Sequence, residues 1–244
     1  MSLPLEICVF NTATAIAAAA AGADRIELCE NYANGGTTPS YGYLKTTREK
    51  VDIPIFPMIR PRGGDYFHSP EEIAIIQKDI RLCKELGFEG VVFGLLNQDG
   101  TIDRDNTMRL VDLAYPLDVT FHRAFDRCKD PLEALETIIA CGCTRILTSG
   151  QHPKAPEGKQ LIKQLVEQAG NSIIIMPGSG INSSNLEEMV RFTGAKEFHT
   201  SARILRPSPT TFNNPLIVEN FDQDFTDAAE INRLKQILHQ YNSD

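Results

Sequence analysis

Two short segments carry the same reactive side chains at the same spacing: Leu5-Glu6-Ile7-Cys8 and Ile26-Glu27-Leu28-Cys29. In each, aliphatic residues alternate with a carboxylate and a thiol, the period-two pattern of a strand with two unlike faces. If the aliphatics face a helix layer, Glu6, Cys8, Glu27 and Cys29 point the other way. On neighbouring strands about 4.8 Å apart they would meet. Two carboxylates and two thiols so gathered suit general acid–base work or metal ligation. The plainer account treats the thiols as small buried apolar groups and pairs the carboxylates with arginines, because an interior carboxylate needs a partner.

Further candidates stand where other strands should end. One stretch reads Met58-Ile59-Arg60-Pro61-Arg62-Gly63-Gly64-Asp65, another Thr120-Phe121-His122-Arg123, a third Phe198-His199-Thr200-Ser201-Ala202-Arg203. Met176-Pro177-Gly178-Ser179-Gly180 and Asn34-Gly35-Gly36-Thr37-Thr38-Pro39-Ser40 are glycine-rich, and glycine lets backbone N–H groups approach an anion closely. As an enzyme, the chain would use Glu27 or His122 as general base or acid. Arg60 and Arg123 would orient a small anionic or phosphorylated substrate. Gly178, Gly180, Ser201, Arg203 and Arg62 would complete the anion site, and a hard divalent metal on Glu6, Glu27, His122 and His199 is a variant of this reading. Against it stand ordinary roles: Arg60 as an ion-pair partner of Glu27, and the glycines as makers of tight turns.

These residues need elements to hold them. Strands are expected over Leu5–Phe10, Arg25–Cys29, Ile53–Arg60, Gly90–Gly94, Asp118–Arg123, Arg145–Ser149, Ile173–Pro177 and Glu197–Thr200, alternating with helical patterns. A repeat supports the count. Gly22-Ala-Asp-Arg-Ile, Gly87-Phe-Glu-Gly-Val, Gly142-Cys-Thr-Arg-Ile and Gly194-Ala-Lys-Glu-Phe each set a helix-ending glycine three residues before a strand. Ser69-Pro70-Glu71-Glu72 and Asp130-Pro131-Leu132-Glu133 mark helix starts with a cap, a first-turn proline and a capping-box Glu. Eight βα units in 244 residues predict an α/β fold, a (β/α)8 TIM barrel with eight parallel strands closed on themselves, as a single domain over 1–244. Polar residues at the C-terminal strand ends would then form the site. The first turn lacks the G-x-G-x-x-G of a dinucleotide-binding sheet. Residues 206–224 are aperiodic and proline-bearing, which predicts a long loop before the last helix.

Composition narrows the partners. A net charge of −8 argues against general nucleic-acid or anionic-membrane binding. Six scattered cysteines without a CxxC pattern read as reduced thiols of a cytoplasmic protein, not a disulfide framework. The Ala-rich stretch from Thr12 to Gly22 is too short to span a membrane, and no signal peptide is evident.

At these motifs the sequence resembles the CutC family, named for copper homeostasis. The likeness runs through Glu6-Ile7-Cys8, residues 22–29, 35–40 and 58–65, Thr120 to Asp126, Leu147-Thr148-Ser149-Gly150, residues 176–181 and Phe198 to Arg203. It implies a cytoplasmic (β/α)8 protein that associates with itself as a homodimer or homotetramer. It also implies a role in copper handling, with Cys8 and Cys29 matching the cysteines proposed for copper ion, Cu(I). Cu(I) is soft and prefers thiolates, and a near-linear bridge would want the sulfurs about 4 to 5 Å apart. Ser179 departs from the family's more usual glycine, Cys83, Cys128, Cys141 and Cys143 match no family site, and beyond Arg206 the likeness fades. The charged and imidazole residues exceed what a copper carrier requires, so the enzyme reading stays open beside it.

Overall fold

The computed structural model describes residues 2–212, 214, 216 and 221–241. Eight short strands point the same way: β1 (Leu5–Val9), β2 (Arg25–Leu28), β3 (Ile55–Pro57), β4 (Gly90–Phe93), β5 (Asp118–Phe121), β6 (Arg145–Thr148), β7 (Ile174–Pro177) and β8 (Phe198–Thr200). They form two parallel four-stranded sheets of order β3-β2-β1-β8 and β4-β5-β6-β7. A parallel bridge between Met58 and Val92 links β3 to β4, where the Ile59 N–H donates to the Val92 carbonyl at 2.7 Å. Each expected strand contains an observed one but runs longer. The third shrinks most, to three residues that begin after Pro54, which offers no N–H to a ladder, and end on Pro57.

Seven helices follow strands: α1 (Thr12–Ala20), α2 (Tyr41–Arg48), α3 (Pro70–Glu85), α4 (Arg104–Ala114), α5 (Pro131–Ala140), α6 (Lys159–Ala169) and α7 (Leu186–Thr193). The repeat glycines Gly22, Gly87, Gly142 and Gly194 all take positive φ and end the helices before β2, β4, β6 and β8. Ser69 forms the expected capping box with Glu72. Asp130 caps α5, accepting from the Leu132 and Glu133 N–H groups, but without a return bond from Glu133 among the described residues.

The aliphatic members of each strand pack against the helices. Leu5, Ile7, Ile26, Leu28 and Ile55 are fully buried in the main core, while the alternate residues face inward among the strands. The segment 206–224, expected as a loop, is at its ends a two-stranded antiparallel ribbon. There β9 (Arg203–Arg206) pairs with β10 (Gln223–Thr226), and α8 (Ala228–Leu238) follows. Part of that segment lies outside the described residues. Among the described residues no helix is long and apolar enough to cross a membrane.

Candidate functional site

Strand register brings the duplicated Glu-x-Cys segments together. Cys8 lies opposite Glu27 on β1 and β2, and Glu6 lies opposite both Arg25 on β2 and His199 on β8. Beyond the end of β2, the Cys29 N–H continues the ladder to the Val9 carbonyl. The Cys8 thiol donates to the Cys29 sulfur at 3.7 Å, and Cys29 donates to Glu27 Oε2 at 3.5 Å. His199 Nδ1 donates to Glu6 Oε1 at 2.7 Å, which leaves Nε2 facing Glu27 Oε2 at 3.9 Å. The ligand atoms of Cys8, Glu27 and His199 all lie within 4.8 Å of one another.

The electrostatics follow from burial. Hydrogen bonding to Cys29, burial and the Glu27 charge hold the Cys8 thiol well above its ordinary pKa. Burial, with Glu27 nearby, pushes Cys29 up to about 12. Burial also raises Glu27, and its Oε1 has no hydrogen-bond partner among the described residues. Burial opposes charge on His199, but Glu27 and Glu6 outweigh it and raise its pKa. Burial likewise opposes charge on Glu6, yet Arg25 and His199 hold its carboxyl well below the usual range.

Beneath this cluster is a buried ionic layer that the sequence reading did not single out. Arg25 pairs with Glu6 and, at 2.7 Å, with Glu197, which also binds Arg145 at 2.7 Å. The Phe56 ring lies under both guanidinium groups, 5.0 and 5.4 Å from its centroid. A signal was present. Arg25, Arg145 and Glu197 occupy the same place in the glycine repeat, immediately before the first apolar strand residue. The remaining copy has Gly90 there, and a Cβ on Gly90 would sit 2.5 Å from the Phe56 ring. Three copies supply the charges and the fourth makes room for the ring between them.

The other expected residues line the opposite arc or support it, and the structure corrects several roles. Arg60 makes no ion pair with Glu27; it donates to the carbonyls of Asn34, Gly36 and Gly64 and stacks on Tyr66, so it ties two loops together. Arg62 binds Glu72 and Asp65. Arg123 binds Asp126 and Ser149, both at 2.7 Å, and Arg203 pairs with Asp224 over the Tyr32 ring. All four arginines expected to clamp an anion already have acceptors or rings of their own. His122 does not join Glu27 and His199. Its Nδ1 accepts from the Ala124 N–H at 3.2 Å and caps the turn Arg123–Arg127, and burial with Arg60 pushes its pKa down to about 3. Glu6 is taken up by Arg25 and His199, which makes it a support for the imidazole. A Cβ on Gly178 would meet Leu147 at 2.4 Å, so packing alone accounts for that glycine. Gly180 has φ +78° at the rim.

Cys8, Glu27, His122, Arg123, Gly180, His199, Ser201 and Arg203 line one cavity of about 790 Å³ at the C-terminal ends of the strands. Cys29 lies just behind its wall, fully buried.

The CutC family pattern matches residues 3–204. The human copper homeostasis protein cutC homolog is 45% identical over 240 residues, covering 96% of this chain and 88% of its own. The crystal structure of the CutC chain from Streptococcus agalactiae superposes with a TM-score of 0.77 at 35% identity, over 82% of this chain and 98% of that one. The N-(5'-phosphoribosyl)anthranilate isomerase of Pyrococcus furiosus, at 12% identity, shares the fold alone, with a TM-score of 0.58 over 98% of this chain and 100% of that one.

Proposed function

This chain belongs to the CutC family, and from that premise we propose that it acts in copper homeostasis by binding Cu(I) between Cys8 and Cys29, with His199 or Glu27 as a further ligand. The observation that carries the reading is the 3.7 Å sulfur separation. It is shorter than the 4 to 5 Å expected for a near-linear bridge. With metal–sulfur bonds of about 2.3 Å, sulfurs this close subtend about 107° at the metal. That angle suits three ligands better than two. A third donor is at hand, because the Cys8 sulfur, a Glu27 oxygen and a His199 nitrogen already share a 4.8 Å cluster.

The donor set fits the ion. Thiolates select soft Cu(I), and imidazole suits copper. Glu6 fixes the His199 ring through Nδ1, as outer carboxylates do for metal-ligating histidines. Both thiols are protonated at neutral pH, so the ion enters by displacing protons, and binding strengthens as pH rises. In the same reading the two sheets close into one eight-stranded barrel, with the Met58–Val92 bridge as one seam and β7 beside β8 as the other. The protein works in the reducing cytoplasm as a homodimer or homotetramer.

The test is Cu(I) titration under reducing conditions against a competing chelator, comparing the wild-type chain with the Cys8→Ser/Cys29→Ser variant. Tight binding that disappears in the double variant is expected. Unchanged binding in that variant overturns the proposal.

A further inference from the structure

The copper site proposed above would fill one corner of the mouth and leave the rest without a role. The cavity measures about 790 Å³, against about 30 Å³ for a water molecule and roughly 300–1,000 Å³ for sites that hold small organic molecules. Three sets of polar groups with a spare donor or acceptor face it. Glu27 is 3% exposed, and its Oε1 is a buried acceptor without a partner among the described residues. His122 accepts at Nδ1, which places its proton on Nε2, and burial keeps the ring neutral. The third set is backbone. Ser179, Gly180, Ile181 and Ser201 line the cavity, and their N–H groups have no acceptor among the described residues. Ile181 is itself only 3% exposed, so bulk water is a poor substitute there.

We propose that this cavity also binds a small phosphorylated hydroxy or keto compound. Its phosphate rests on the N–H groups of the loops after β7 and β8, a hydroxyl donates to Glu27 Oε1, and a second oxygen accepts from His122 Nε2. Loops at these positions commonly hold phosphate in folds of this architecture. The arginines do not supply the anion donors, because Arg60, Arg62, Arg123 and Arg203 are all engaged, which leaves the backbone N–H groups to do so. A group of backbone N–H donors suits the three-oxygen head of a phosphate ester.

The proposal does not rest on the copper reading, and the two fail separately, because the serine variants below leave Cys8, Cys29, Glu27 and His199 in place. The experiment is calorimetric titration of the full metal-free chain with inorganic phosphate, glycerol 3-phosphate, dihydroxyacetone phosphate, ribose 5-phosphate, glycerol and ribose. At least one ester should bind on the order of tenfold tighter than inorganic phosphate and than its phosphate-free counterpart. Ser201→Asp and, independently, Ser179→Asp set a negative charge beside the N–H groups and should each weaken that ester about tenfold or more, while Cu(I) binding persists. Absence of binding by every ester up to about 10 mM overturns the proposal. So does inorganic phosphate binding as tightly as the esters, or ester affinity undiminished in both variants.

Discussion

The Cys8 and Cys29 sulfurs lie 3.7 Å apart, although Cys8 is registered with Glu27 and Cys29 stands two residues farther along. The thiols therefore meet on a diagonal, across the continuation of the ladder from the Cys29 N–H to the Val9 carbonyl. Gly36 packs directly against the Cys29 thiol. A Cβ on Gly36 would lie 3.2 Å from the Cys29 sulfur, and its φ is +92°.

Gly36→Ala is accordingly expected to act twice. The left-handed backbone strains any side chain, and the new methyl presses on the thiol. We expect a loss of about 1–2 kcal/mol in urea unfolding, together with weaker Cu(I) binding. Unchanged Cu(I) affinity would show that Gly36 does not set the thiol position.

Glu6→Gln tests the support of the imidazole. The amide still reaches His199 but no longer charges the pair with Arg25. Losing an outer partner of this kind costs about 10–100-fold in metal affinity. A chelator-competition titration at fixed pH reads this directly. An affinity within about twofold of wild type would place His199 outside the ligand set.

Glu197→Gln probes the ionic layer. Glu197 is the shared partner of Arg25 and Arg145, and both cations hold its carboxyl below the usual range despite burial. Removing its charge leaves Arg25 with Glu6 alone and the buried Arg145 with only the Asp118 carboxylate, 3.9 Å away. The expected cost is about 3–5 kcal/mol of unfolding free energy, measured by urea denaturation at pH 7.

His122 makes a pH prediction. Burial, with Arg60, sets its folded pKa near 3, whereas the unfolded chain takes up this proton near pH 6.5. The stability linked to it is complete above about pH 7. It is lost as pH falls from about 6.5 toward 3, at up to about 1.4 kcal/mol per pH unit. His68 is shifted in the same direction. His199 is shifted the opposite way, so its contribution is present below about pH 6.5 and is lost as pH rises through its folded value. His122→Asn should flatten the slope of unfolding free energy between pH 6.5 and 5 without abolishing it. An unaltered slope would mean that His122 does not titrate on unfolding.

Much of this architecture was legible one residue at a time. The alternation in Leu5-Glu6-Ile7-Cys8 and Ile26-Glu27-Leu28-Cys29 determined which side chains turn inward, because strand periodicity is local. The glycine repeat determined the βα rhythm; it also held Arg25, Arg145, Glu197 and Gly90 at one shared position, but only their packing around Phe56 made that an ionic layer. What tertiary structure alone decided is who partners whom. His199 reaches Glu6 across 193 residues of sequence, while His122, the same residue type at an equivalent strand end, turns away to cap its own turn. Arg60, Arg62, Arg123 and Arg203 read alike as anion clamps until the fold supplies each with a carbonyl, carboxylate or ring. A charged side chain is settled by whichever opposite charge or dipole packing brings within about 3 Å. That choice depends on strand register and loop closure, which no local pattern encodes.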